Sequence, residues 1–71
     1  MTIVYTLIGC IDTDEGDEIL GVFSDYKKTV ATAKIKLKEY GVIYLYKGKL
    51  NTSDHQLVGW WYYDDFYKND N

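Results

Sequence analysis

The chain predicts an α+β domain: a four-stranded, mainly antiparallel sheet (ββαββ) with one helix packed on one face. Three observations carry that reading. Four segments are rich in β-branched and aromatic residues (Thr2 to Ile11, Glu18 to Phe23, Val42 to Leu50, His55 to Tyr63). One segment, Asp25 to Tyr40, has helical spacing instead. Polar clusters bearing Gly, Asn and Asp punctuate the boundaries.

The first segment, TIVYTLIGCI, is read as a strand. Asp12-Thr13-Asp14-Glu15-Gly16-Asp17 is a polar turn, with Gly16 free to take a positive φ. The second strand, EILGVF, contains Gly21, which suggests a bulge or a close backbone approach. These two strands are expected to form a hairpin. Ser24 is the expected N-cap, with Asp25 at the positive end of the helix dipole. Tyr26, Val30, Ala33, Leu37 and Tyr40 then recur at 4-3-4-3 spacing, the stripe of one buried helix face. Ile35 falls on the opposite side, among lysines. Gly41 ends the helix. VIYLYKGKL is the third strand, Asn51-Thr52-Ser53-Asp54 a turn, and HQLVGWWYY the fourth strand, running on toward Phe66 and Tyr67. One helix returns the chain to the starting end of the sheet, so the strand order 2-1-3-4 follows. Residues 1–71 read as one domain, with 68–71 expected to fray.

Side chains alternate along a strand, so each strand has two lists. Ile3, Tyr5 and Leu7 oppose Val4, Ile8 and Cys10. Val42, Tyr44 and Tyr46 oppose Ile43 and Leu45. Leu57, Trp61 and Tyr63 oppose Val58, Trp60, Tyr62 and Phe66. Both lists are apolar in all three strands, whereas one helix covers one face of a sheet. Each exposed aromatic ring adds about 150–250 Å², and a monomer usually exposes apolar patches of only a few hundred Å². The second face therefore expects a cover: a second copy, a foreign protein, or the chain's own C-terminal segment. The plain alternative is ordinary sheet packing, with Tyr rings lying on neighbours and their hydroxyls in water.

Apolar residues are 46% of the composition and charged residues 27%, a globular balance. No run is long and apolar enough to span a bilayer, and no secretory leader is recognisable, so a cytoplasmic protein is expected. Acids outnumber bases 11 to 8, and every base is Lys. Net negative charge and the lack of Arg argue against nucleic acid as partner. Cys10 is alone, which excludes an internal disulfide and a Cys-based zinc site.

No motif for catalysis, cofactor or metal emerges. The acidic loop fails as an EF-hand, because its sixth and twelfth positions counted from Asp12 hold Asp17 and Phe23, where Gly and Glu are required. Its Asp14 and Glu15 can instead meet a basic patch on a partner. His55 has no nucleophile beside it except turn and cap serines. Tyr44 and Tyr46 with Lys47 and Lys49 interleave rings and cations, the chemistry of a single-strand nucleic-acid platform.

Val4-Tyr5-Thr6-Leu7, Ile19-Leu20-Gly21-Val22-Phe23-Ser24 and Lys49-Leu50-Asn51 together resemble a group of small uncharacterised proteins of phages and Gram-positive bacteria. The resemblance covers residues 2–51 and implies a strand-strand-helix-strand core. Lys28-Thr29-Val30-Ala31 departs from that group's Lys-Ala pattern, and the aromatic tail from Trp60 lies outside it. Small phage proteins often bind and block a host protein. The expectation is therefore a non-enzymatic, phage-type accessory protein that inhibits a host protein, such as a defence or nucleic-acid enzyme, and forms a homodimer. Its expected contact residues are Tyr44, Tyr46, Trp60, Trp61, Tyr62, Asp64 and Asp65, with Asp14 and Glu15 second. A single-stranded nucleic-acid module and a purely structural homodimer are the alternatives.

Overall fold

The computed structural model describes residues 2–11 and 17–70. In chain order they form β1 (Ile3–Cys10), β2 (Asp17–Phe23), α1 (Tyr26–Lys36), β3 (Val42–Lys49), β4 (His55–Tyr62) and β5 (Asp65–Lys68). The sheet order is β2-β1-β3-β4-β5, and every neighbouring pair is antiparallel. The α+β class and the 2-1-3-4 order hold, but the sheet has five strands rather than four. The aromatic run does not continue β4. It turns at Tyr63-Asp64, and β5 pairs back so that Trp61 faces Phe66 and Trp60 faces Tyr67. Tyr63 takes φ 56°, a left-handed conformation that two-residue hairpins usually assign to Gly or Asn. A Tyr-Asp turn carries no such signal, which is why the sequence conceals it.

Within the segment expected to fray, Lys68 and Asn69 are engaged. Lys68 belongs to β5, and Asn69 is tied to the bulged part of β4. Its backbone N–H donates to Val58 O and its side-chain amide to Leu57 O, both at 3.0 Å.

Asp25, not Ser24, caps α1: its carboxylate accepts from the Lys27 N–H at 3.0 Å. The helix is shorter than the apolar stripe suggests, closing at Leu37, whose N–H reaches Ala33 O at 2.9 Å. Its innermost residues are Thr29 and Ala33, both fully buried, with Val30, Leu37 and Tyr40 packed beside them. Thr29 fits because its hydroxyl donates to Asp25 O within the helix (2.8 Å), leaving its methyl to the core. Tyr26, expected as the first member of the buried stripe, is instead about half exposed, with its ring edge against Tyr5, centroids 5.3 Å apart.

The helix lies over β1 and β2. Beneath it, Leu7, Ile43 and Leu45 have no exposed surface. Beyond the helix, Trp61 and Phe66 complete this layer with ring centroids 4.7 Å apart. Phe66 also lies across Gly59, where a Cβ would come within 2.5 Å of its ring, so only Gly permits that approach.

Two register shifts adjust which side chains turn inward. In β2 the pairing skips Leu20, which turns into the core cluster. In β4 it skips Val58, which does the same, while Leu57 takes the register position opposite Tyr46. Strict alternation assigns Leu57 and Val58 the other way round. Phe66, assigned with Trp60, sits with Trp61 instead because the two-residue turn sets even-numbered β5 positions opposite odd-numbered β4 positions.

Candidate functional site

The sheet face away from α1 carries Val4, Thr6, Ile8 and Cys10 from β1 and Val42, Tyr44 and Tyr46 from β3, in register across the ladder. β2 adds Ile19 and Val22, β4 adds Leu57, Trp60 and Tyr62, and β5 adds Tyr67. Cross-strand pairing sorts them into rows. One row runs across the whole sheet, with an apolar or aromatic residue on each strand: Ile19, Ile8, Tyr44, Trp60, Tyr67. The row on one side is Val22, Thr6, Tyr46, Leu57. The row on the other is Asp17, Cys10, Val42, Tyr62, Asp65.

The expected excess of apolar surface is thus located. Ile19 is 68% exposed, Val22 57%, Tyr62 47% and Tyr67 45%. Tyr44, Tyr46 and Trp60 are half-buried, propped by their neighbours. Trp60 stacks on Tyr67 with centroids 6.2 Å apart and planes 19° apart, and Tyr62 meets Tyr63 edge-on at 4.5 Å. Among the described residues, no helix or strand lies over this face.

The expected contact residues divide. Tyr44, Tyr46, Trp60 and Tyr62 share the uncovered face. Trp61 does not: it is 5% exposed, on the helix side under Phe66, so its role is packing. Adjacent strand residues point oppositely, so Trp60 and Trp61 cannot both line one surface. Asp65 sits at the end of this face beside Tyr62, and Asp64 is in the adjoining turn. Asp14 and Glu15 lie outside the described residues. Ile19, Val22 and Tyr67 were missed. The alternation of Ile19 with Glu18 and Leu20 was a usable signal, whereas Tyr67 needed the hidden turn.

The charges are sided. Lys47 shares a face with Leu45, Lys49 with Ile3, and Lys68 with Gly59, all toward the helix. The other lysines (27, 28, 34, 36 and 38) lie on α1 or in the turn after it. All eight therefore lie on the helical side. The strand charges on the uncovered face are Asp17 and Asp65, both at its Cys10/Val42/Tyr62 end, with His55 at the opposite end beside Gly48. The nucleic-acid platform of Tyr44, Tyr46, Lys47 and Lys49 is thereby taken apart, its rings on one face and its cations on the other.

Cys10 and His55 are no dyad. Cys10 pairs with Val42 and His55 with Gly48, at opposite ends of β3 and about 20 Å apart at ~3.3 Å per residue. The Cys10 thiol donates to the Asp17 carboxylate, and a His55 ring nitrogen lies 3.1 Å from Thr52 O. On the helical side, Tyr40 donates its phenolic proton to Glu18 at 2.5 Å. That bond, followed by desolvation and the negative charges of Glu18 and Glu39, holds the Tyr40 phenol above the ordinary tyrosine range. Among the described residues, no group of His, Cys, Asp and Glu side chains gathers to hold a metal ion. No described helix is long and apolar enough to cross a membrane.

Comparison with protein-family models, with curated proteins and with solved structures finds no match in any of the three.

Proposed function

We propose that this chain is a non-catalytic protein-binding domain whose docking surface is the sheet face away from α1. The observation that carries the reading is the apolar row Ile19-Ile8-Tyr44-Trp60-Tyr67, left open across all five strands and with no lysine on its side of the sheet. Strand faces of this composition are normally covered, and Tyr and Trp are the residues on which binding energy concentrates. Burying such a face on a partner desolvates few charges, so little of the hydrophobic gain is lost to ion desolvation. The acidic end at Asp17 and Asp65 suits a partner with a basic rim.

The narrower form of this reading is an accessory protein of phage type that binds and blocks a host protein in the bacterial cytoplasm. Enzymes that act on nucleic acid present basic surfaces, which an apolar face with an acidic end fits. The test is capture from a host lysate by the wild-type chain, by Tyr67→Lys and by Ile35→Lys. The expected result is one specific protein lost by Tyr67→Lys and kept by Ile35→Lys, since Ile35 is 67% exposed on the helical side. Equal capture by all three removes the face from the function.

A further inference from the structure

We infer that in the free protein this face is occupied by a second copy of the chain, which a host protein has to displace, packed face to face about a two-fold axis that lies between the sheets and runs across the strands. The inference rests on the docking reading above and names its occupant.

Size is the first support. Five strands spaced about 4.8 Å apart, four of them running about 23–26 Å and β5 about 13 Å, give a face of ~550 Å² per copy. Two such faces bury ~1,100 Å², just above the ~1,000 Å² that a specific interface should clear. Sheets packed in this way form an ordinary sandwich, so no new architecture is required.

The placement of charge selects the partner and the axis. Because all eight lysines lie on the helical side, pairing leaves every lysine ammonium in water. A two-fold along the strands would set the row containing Asp17 and Asp65 against the same row of the other copy, acid against acid. A two-fold across the strands sets that row over the His55 end and keeps the acidic ends apart.

The same operation matches the rows. It places the row Ile19-Ile8-Tyr44-Trp60-Tyr67 over the row Val22-Thr6-Tyr46-Leu57 of the second copy, and the reverse. β2 then lies over β2. Ile19 and Val22, the most exposed apolar residues of the face, cover each other's counterparts. Burying such pairs accounts for two large aliphatic side chains that nothing in the described chain covers.

The test is sedimentation equilibrium of the wild-type chain, of Ile19→Lys and Val22→Lys, and of Ile35→Lys as the helical-side control. All three positions are exposed, so the fold tolerates the changes, and circular dichroism checks this. The expected result is a wild-type mass near twice 8.3 kDa in the micromolar range, unchanged in Ile35→Lys and weakened about tenfold or more in each β2 variant. Acrylamide quenching of Trp60 in a Trp61→Phe background separates this failure from that of the docking reading. A monomer with Trp60 open to quencher overturns self-pairing and leaves the docking face standing. A monomer with Trp60 shielded overturns both. A dimer indifferent to Ile19→Lys and Val22→Lys also overturns the proposed interface.

Discussion

Trp60 and Trp61 are consecutive in the chain and serve opposite sides of one sheet. Trp61 is buried under Phe66, ring centroids 4.7 Å apart, while Trp60 lies stacked on Tyr67 in the uncovered row. One peptide bond thus separates a core anchor from a docking residue.

Substitution at the two sites is expected to separate stability from association. Trp61→Ala removes a closed indole from the core layer on the helical side and should cost about 3–5 kcal/mol. Set against a total of about 5–15 kcal/mol for small domains, that brings the chain close to unfolding. Trp60→Ala loses a half-exposed ring and its stacking on Tyr67, worth about 0.5–1.5 kcal/mol beyond area. Urea denaturation should show the large shift for Trp61→Ala and the small one for Trp60→Ala, with loss of partner binding in the latter. The reverse order of shifts would invert the face assignment.

Much of this was legible in the sequence, because alternation in β1 and β3 is unbroken. Ile3, Tyr5 and Leu7 separate from Val4, Ile8 and Cys10 as period two requires, and so do Tyr44 and Tyr46 from Leu45. The same rule, applied to Lys47 and Lys49, already moves them off the Tyr face. What was not legible came from local backbone events. A bulge at Val58 exchanged the faces of Leu57 and Val58, and a turn at a Tyr-Asp pair hid β5. Thr29 lies outside the apolar stripe because its hydroxyl is polar, yet it is buried, since the helix backbone satisfies that hydroxyl.

The turn itself predicts a stabilising change. Tyr63 at φ 56° holds a bulky residue in a conformation that costs L-residues about 1–2 kcal/mol. Asn51, at φ 64°, solves the same problem with a residue suited to it. Tyr63→Gly relieves the strain but gives up the edge contact with Tyr62 and adds chain entropy to the unfolded state. The net expectation is a gain of about 0.5 kcal/mol, and Asn51→Ala should lose about 1 kcal/mol, both read from denaturation midpoints.

Tyr40 supplies a pH test. Its phenol donates to Glu18, and its ring lies so close to Gly9 that a Cβ there would come within 2.7 Å of it. The raised folded value means that the native state holds the phenolic proton more tightly than the unfolded chain. That stabilisation is complete below the ordinary tyrosine value of 10.0 and is lost as pH rises through the folded value. Glu18→Gln removes the charged acceptor, so the Tyr40 ring signal in NMR titration should move at lower pH than in the wild type. Gly9→Ala displaces the ring and should have the same effect while costing about 1–3 kcal/mol of stability. An unchanged Tyr40 titration in Glu18→Gln would separate the phenol from that carboxylate.

Asn69 fastens the last strand at the point where β4 bulges. Its two bonds, to Val58 O and Leu57 O, satisfy the carbonyls of the skipped residue and of the residue before it. Asn69→Ala keeps the backbone bond and loses the amide, with an expected cost of about 0.5–1.5 kcal/mol. Hydrogen exchange should report it as faster exchange in β5 with β1 and β3 unaffected. Uniform acceleration across all strands would mean that β5 does not open independently.

The separation of lysines from aromatic rings makes a last prediction, about polyanions. A single-stranded oligonucleotide at low salt is drawn to positive charge, and here every lysine sits on the side away from Trp60. Contact with Lys27, Lys34 or Lys47 leaves the Trp60-Tyr67 stack untouched, because the sheet stands between them. Trp60 fluorescence, read in the Trp61→Phe background, should therefore stay constant through an oligonucleotide titration, even where weak electrostatic binding is detected by mobility. Quenching that falls steeply with added salt would require bases stacked on Trp60 with phosphate neutralised nearby. Among the described residues the face carries no lysine for that purpose, so such a result would overturn the sidedness of charge on which both the docking face and its two-fold pairing depend.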